Sequence, residues 1–276
     1  MFDLAYLGTA GWHVTTCDHA LLIDPYFTRA PLRAMLGGPI YPDERRITAY
    51  TPTRVDTILV THAHYDHIMD VPAVAAATGA EVLATPQGCR LLRLLGVAPD
   101  KLHPIEPGDQ LARSGIRIEV FESLHRHIFG HIPYRGRLHP DLVPPLCARD
   151  YRMDLLVSLR LTIDEARILV ASGIDDEPPV RAEVLLIGAD IRRDDLREVL
   201  EAVQPVSVLP NHWDDMFRPL SEPAVPMFIP PRLPLPPLRR IDLGRFSRQV
   251  SALNPGCRVI IPKRFAALPS DGLLAH

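Results

Sequence analysis

The chain has 276 residues, of which 47% are hydrophobic, so it can bury a sizeable core and is not expected to be disordered. Thirty basic residues against thirty-three acidic ones leave a formal charge of −3, too little positive field for a dedicated nucleic-acid binder. The four cysteines at 17, 89, 147 and 257 form no Cys-x-x-Cys pair and read as free, mostly buried thiols rather than a disulfide framework. The start, Met-Phe-Asp-Leu-Ala-Tyr-Leu-Gly, lacks a basic region followed by an apolar one, and no apolar run reaches the ~20 residues a bilayer requires. A soluble, cytoplasmic protein is expected.

Phe2 to Leu7 alternates as a strand before Gly8, and Trp12 to Thr16 and Ala20 to Ile23 follow as two more, closed by Asp24-Pro25. Residues 28 to 54, broken by prolines and glycines, read as an irregular surface excursion. Val55 to Thr61 is an apolar run of strand length, and a histidine cluster follows it directly. Val71 to Thr78 is helical with Pro72 tolerated in its first turn; Glu81 to Ala84 is a strand and Gln87 to Leu95 a helix stopped by Gly96. Ile116 to Phe121 is a strand, and Asp154 to Thr162 with Ala166 to Ala171 form a hairpin across Asp164-Glu165. Val184 to Ile187 and Val206 to Leu209 flank an amphipathic helix, Asp194 to Val203. Residues 219 to 240 are a Pro-rich insertion that admits neither a regular helix nor a central strand. A helix (Arg245 to Leu253), a strand (Arg258 to Ile261) and a loose tail complete the chain. Strands and helices alternate throughout, which indicates an α/β layered fold in one domain over 1–276.

His62, His64, Asp66 and His67 place three imidazoles and a carboxylate within six residues, in the loop between a buried strand and a helix. Residues two apart in such a turn can face one side, so His62 and His64 can share one metal while Asp66 and His67 turn toward a second. Imidazole with carboxylate suits Zn²⁺, Mn²⁺ or Fe²⁺. Four donors at this spacing are hard to explain as a solvated loop.

The run Thr-His-Ala-His-Tyr-Asp-His at 61 to 67 resembles the His-x-His-x-Asp-His signature of the metallo-β-lactamase superfamily. Gly-Thr-Ala-Gly-Trp at 8 to 12 and Ile-Asp-Pro-Tyr at 23 to 26 are similar to the branch of ascorbate-phosphate lactonase-like and N-acylphosphatidylethanolamine phospholipase D-like enzymes. The resemblance implies a four-layer αββα sandwich holding two divalent ions, Zn²⁺ foremost. It further implies a histidine after a middle strand, an aspartate bridging the metals, and a late histidine. His125 matches the first of these, with His127 as the alternative. Asp175 matches the second, although Ile174 interrupts the family's Gly-Asp and leaves Asp176 as the alternative. His212, in Pro-Asn-His, matches the third, and Asp24 would orient a ligand histidine from behind.

Two such metals would lower the pKa of a bridging water, giving a hydroxide nucleophile, with Asp66 orienting it or carrying its proton. The loop after His125 is rich in arginine, histidine and tyrosine, and Tyr134 and Arg135 are the candidates to clamp an anionic group or an oxyanion. The reading is a hydrolase of a lactone, ester or amide in a small, anionic or acylated molecule. A phosphodiesterase acting on a phospholipid or nucleotide is the alternative, and a metal-binding protein without hydrolysis is the second. The apolar Pro-rich insertion could serve as a substrate lid or a homo-oligomer contact.

Overall fold

Alternate side chains of the first strands enter opposite cores, and this builds the first layers. The structure, a computed structural model, describes residues 1–128, 130–173, 180–229 and 239–275, with Leu36 described by its backbone alone. β1 (Asp3–Gly8), β2 (Gly11–Thr15) and β3 (Ala20–Ile23) run antiparallel; β4 (Thr57–Val60), β5 (Glu81–Ala84) and β6 (Leu102–Pro104) extend the sheet in parallel from β3. Leu21 and Ile23 of β3, Leu59 of β4 and Leu83 of β5 face one core, while Leu22, Ile58, Val60 and Val82 face another. The second core is covered by α1 (Glu44–Tyr50), α2 (Tyr65–Ile68), α3 (Val71–Thr78) and α4 (Pro86–Leu94). Strands apolar on both faces must be sandwiched in this way.

The second sheet runs β7 (Gln110–Arg113), β8 (Ile116–Ser123), β9 (Leu156–Ile163) and β10 (Ala166–Val170) antiparallel, then β11 (Val184–Gly188) and β12 (Ser207–Asn211) in parallel. Its inner face meets β1 to β5 in the first core; α5 (Arg193–Val203) also packs into that core through Leu196, Val199, Leu200 and Val203. The result is the expected αββα layering.

In the Pro-rich insertion the described ends form a two-stranded ribbon, β13 (Phe228–Ile229) with β14 (Arg239–Arg240), and α6 (Leu243–Leu253) follows. β15 (Arg258–Val259) joins β12 in parallel. The four thiols are free, as expected, with Cys89 and Cys257 buried and Cys17 exposed. Among the described residues no helix is long and apolar enough to cross a membrane.

Two expectations need correction. The tail is not loose: β16 (Ala267–Pro269) pairs antiparallel with β1 at the edge of the first sheet, and α7 (Ser270–Leu274) buries Leu273. Nor is the 28–54 excursion wholly irregular. Asp43 caps α1 by accepting the Arg46 N–H at 3.1 Å, and Ile47 supplies the apolar anchor. Elsewhere the bounds agree closely; α3 covers the expected residues and stops at Gly79, whose φ of +74° is left-handed.

Candidate metal centre

Four strand ends and one helix start assemble the site. Asp24 follows β3, Thr61 and His62 follow β4, His125 follows β8, His212 follows β12, and Asp66 and His67 lie in α2. All four residues of the motif are withdrawn from solvent, at 1% exposure for His62, 5% for His64, 7% for Asp66 and 5% for His67. Buried polar groups at this density require partners. Two triads form: His62 with His64 and His125, and Asp66 with His67 and His212, the donor atoms of each lying within 4.8 Å of one another. The His62 and His67 rings are 3.9 Å apart between centroids, so the triads adjoin.

The surrounding acceptors set the tautomers. Thr61 Oγ1 donates its proton to Asp24 Oδ2 at 2.6 Å, so its lone pair meets His62 Nδ1 at 3.0 Å and the proton of His62 lies on Nδ1. His64 Nε2 donates to the Pro133 carbonyl at 3.0 Å, and His125 Nδ1 donates to the Arg126 carbonyl at 2.8 Å. His62 Nε2 and His64 Nδ1, each left with a bare lone pair, then face each other at 3.0 Å. Two acceptors pointed together repel unless a cation sits with them, and neutral imidazoles are the form that binds metal. Burial, with help from neighbouring imidazoles, pushes His62 well below the ordinary histidine range, His64 to about 3 and His125 to about 4.

In the second triad His67 Nδ1 donates to Asp24 Oδ2 at 2.8 Å, leaving Nε2 3.5 Å from Asp66 Oδ2. His212 Nε2 stands 3.1 Å from that same oxygen. Burial alone would lower the pKa of His67, but the charges of Asp24 and Asp66 outweigh it and raise the value. Burial would likewise raise Asp66, yet His67 and the His212 contact hold it below the usual carboxylate range. Three nitrogens on one side and a carboxylate with two nitrogens on the other fit two divalent ions.

Of the sequence candidates, His62, His64, Asp66, His67, His125, His212 and Asp24 come together here. His125 belongs to the first triad, while His127 is exposed. Tyr134 sits at the rim with its ring edge-on to His64, centroids 6.1 Å apart. Arg135 is exposed, its backbone bridged to Met153. Asp175 and Asp176 lie outside the described residues.

Sequence reading missed the supports. Gln87, 3% exposed, ties down the rim loop by donating to the carbonyls of Gly136 (3.0 Å) and Arg152 (2.8 Å) and accepting from Leu138 N (2.9 Å). Trp12 Nε1 donates to Asn211 Oδ1 at 3.0 Å beside His212. Trp12 and Asn211 were visible inside the quoted motifs; nothing local marks Gln87.

Comparison with known proteins identifies the family and the fold. A UPF0173 metal-dependent hydrolase of Rhizobium meliloti is 33% identical over 123 residues, which is 45% of this chain and 47% of that protein, so the alignment spans about half of that relative. One from Carboxydothermus hydrogenoformans is 25% identical over 96% of this chain and 99% of its own length. The metallo-β-lactamase fold protein YhfI of Bacillus subtilis superposes with a TM-score of 0.61 at 13% identity, covering 97% of this chain and 98% of that one, and shows the fold alone. Residues 19–184, more than half of the chain, match the family described as Beta-lactamase superfamily domain. The chain therefore belongs to the metallo-β-lactamase superfamily.

Proposed function

We propose that this chain is a metal-dependent hydrolase working as one domain over 1–276, with one divalent ion in each triad. Its substrate is a small molecule carrying a lactone, ester or amide bond. The observation that carries this reading is the pair of adjoining triads, in which the His62, His64, His67 and His125 rings each give one nitrogen to an oxygen partner and keep the other for a metal. Zn²⁺, or Mn²⁺ or Fe²⁺ in its place, would supply Lewis acidity and lower the pKa of a water molecule.

The chain's own residues supply the rest. Asp66, buried and held ionised, can orient a water molecule through its carboxylate oxygens. Tyr134 keeps its phenolic proton because burial and the charge of Asp66 push its pKa up, so it can donate to an oxygen that gains charge. The insertion runs back past His212: Asp215 N donates to the Val225 carbonyl and Met227 N to the Trp213 carbonyl, both at 2.8 Å. That places Met227 and the half-exposed Phe228 within the same segment, which suits an apolar portion on the substrate.

The test is metal content per chain, followed by assays of a generic lactone, an aryl ester and an aryl phosphodiester on the reconstituted protein. Two ions per chain and lactone or ester turnover that disappears in His62→Ala are expected. Turnover of the phosphodiester alone would move the substrate class, and no metal-dependent hydrolysis of any of the three would sink the reading.

A further inference from the structure

His212 is held in an unfavourable backbone conformation, with φ at +48° in the left-handed region that a histidine seldom occupies. Its N–H donates to the Thr9 carbonyl at 2.8 Å and to Asn211 Oδ1 at 3.0 Å. Thr9, itself at φ +54°, returns its own N–H to Asp214 Oδ1 at 2.6 Å, and the Tyr6 hydroxyl donates to that oxygen at 2.7 Å. The β1–β2 turn and the segment 212–214 thus grip each other reciprocally.

The far side of Asp214 is anchored by charge. Arg29 Nη2 stands 3.2 Å from Asp214 Oδ2, with side-chain exposures of 0% and 1%, and Arg264 approaches the same oxygen at 3.8 Å. Arg29 Nη1 also donates to the Asp215 carbonyl at 3.2 Å. Gly8 makes room for this guanidinium: a Cβ there would lie 1.9 Å from Arg29 Nη2, and its φ is +102°. Burying an ion pair confers little net stability, because desolvation offsets the attraction.

We infer that the Arg29–Asp214 pair is a positioning device for His212, setting where its ring meets Asp66 and so governing metal binding at the second triad. The inference rests on the two-metal reading above. In the test Co²⁺ alone is titrated into the metal-stripped full chain, read by visible absorption and calorimetry, with the melting temperature of each metal-free variant recorded. His212→Ala identifies which equivalent belongs to the second triad.

In Asp214→Asn that equivalent should weaken at least tenfold, while the other stays within threefold and the visible band of the second ion changes. Should Asp214→Asn fail to fold, the double variant Arg29→Gln/Asp214→Asn removes both members of the fully buried pair, leaving Arg264 as the nearby cation, and must show the same selective loss. Equal weakening of both equivalents, or no change in either, overturns the inference. A wild type that takes up a single Co²⁺ overturns the two-metal reading, and this inference with it.

Discussion

Asp24 Oδ2 accepts the Nδ1 proton of His67 at 2.8 Å, and that same oxygen accepts the Thr61 hydroxyl at 2.6 Å. Thr61 Oγ1 in turn receives the proton of His62 Nδ1. A single carboxylate, 1% exposed, therefore orients one imidazole in each triad, directly on one side and through a hydroxyl on the other.

Replacing that carboxylate should consequently affect both triads. Asp24→Asn is expected to weaken both metal equivalents by about 10–100-fold, the range for support groups behind ligand histidines. Thr61→Val should weaken only the equivalent of His62, His64 and His125, by about tenfold. Competition against a chromophoric chelator measures both, and an Asp24→Asn variant with one equivalent untouched would break the relay.

Tyr134→Phe removes a hydroxyl at the rim while leaving every metal donor in place. The variant should retain wild-type metal content and a KM within about twofold, with kcat reduced on the order of 100-fold, as for loss of one oxyanion donor. Steady-state kinetics beside elemental analysis reads this, and an unchanged kcat would remove Tyr134 from the chemistry.

Acid should destabilise the metal-free protein. His64 and His125 are held neutral down to about 3 and about 4, below their ordinary value near 6.5. Between those limits the unfolded chain binds more protons than the folded one, so stability falls as pH drops. His67, raised, acts oppositely above its ordinary value, where its contribution fades with rising pH. The melting temperature should therefore decline from pH 7 toward pH 4, and a flat profile would contradict the buried neutral imidazoles.

Metal itself should stabilise the fold by mass action. At about 100 times its Kd a bound ion adds roughly 2.7 kcal/mol. For a chain of this size that is on the order of 5–10 °C in Tm, lost on chelation and restored by the divalent ion. Differential scanning calorimetry before and after dialysis against a chelator checks it.

The motif at 61–67 was legible in the sequence because its four donors lie within six residues and follow a strand whose burial shows in its composition. The helices α3, α5 and α6 were legible from period and punctuation, since these are local properties. Tertiary structure alone decided the pairing of β16 with β1 across the whole chain, and the short helix α1, whose cap and single apolar anchor are lost among prolines and glycines. It alone brought His125 into one group of donors with His62 and His64, while His127 is exposed. The groups behind the donors follow the same logic. Arg29 meets Asp214 at a sequence distance of 185 residues, and Thr61 meets Asp24 at 37. Spacing along a chain encodes which donors one loop can offer; what orients them depends on which strand ends the packed sheets bring together.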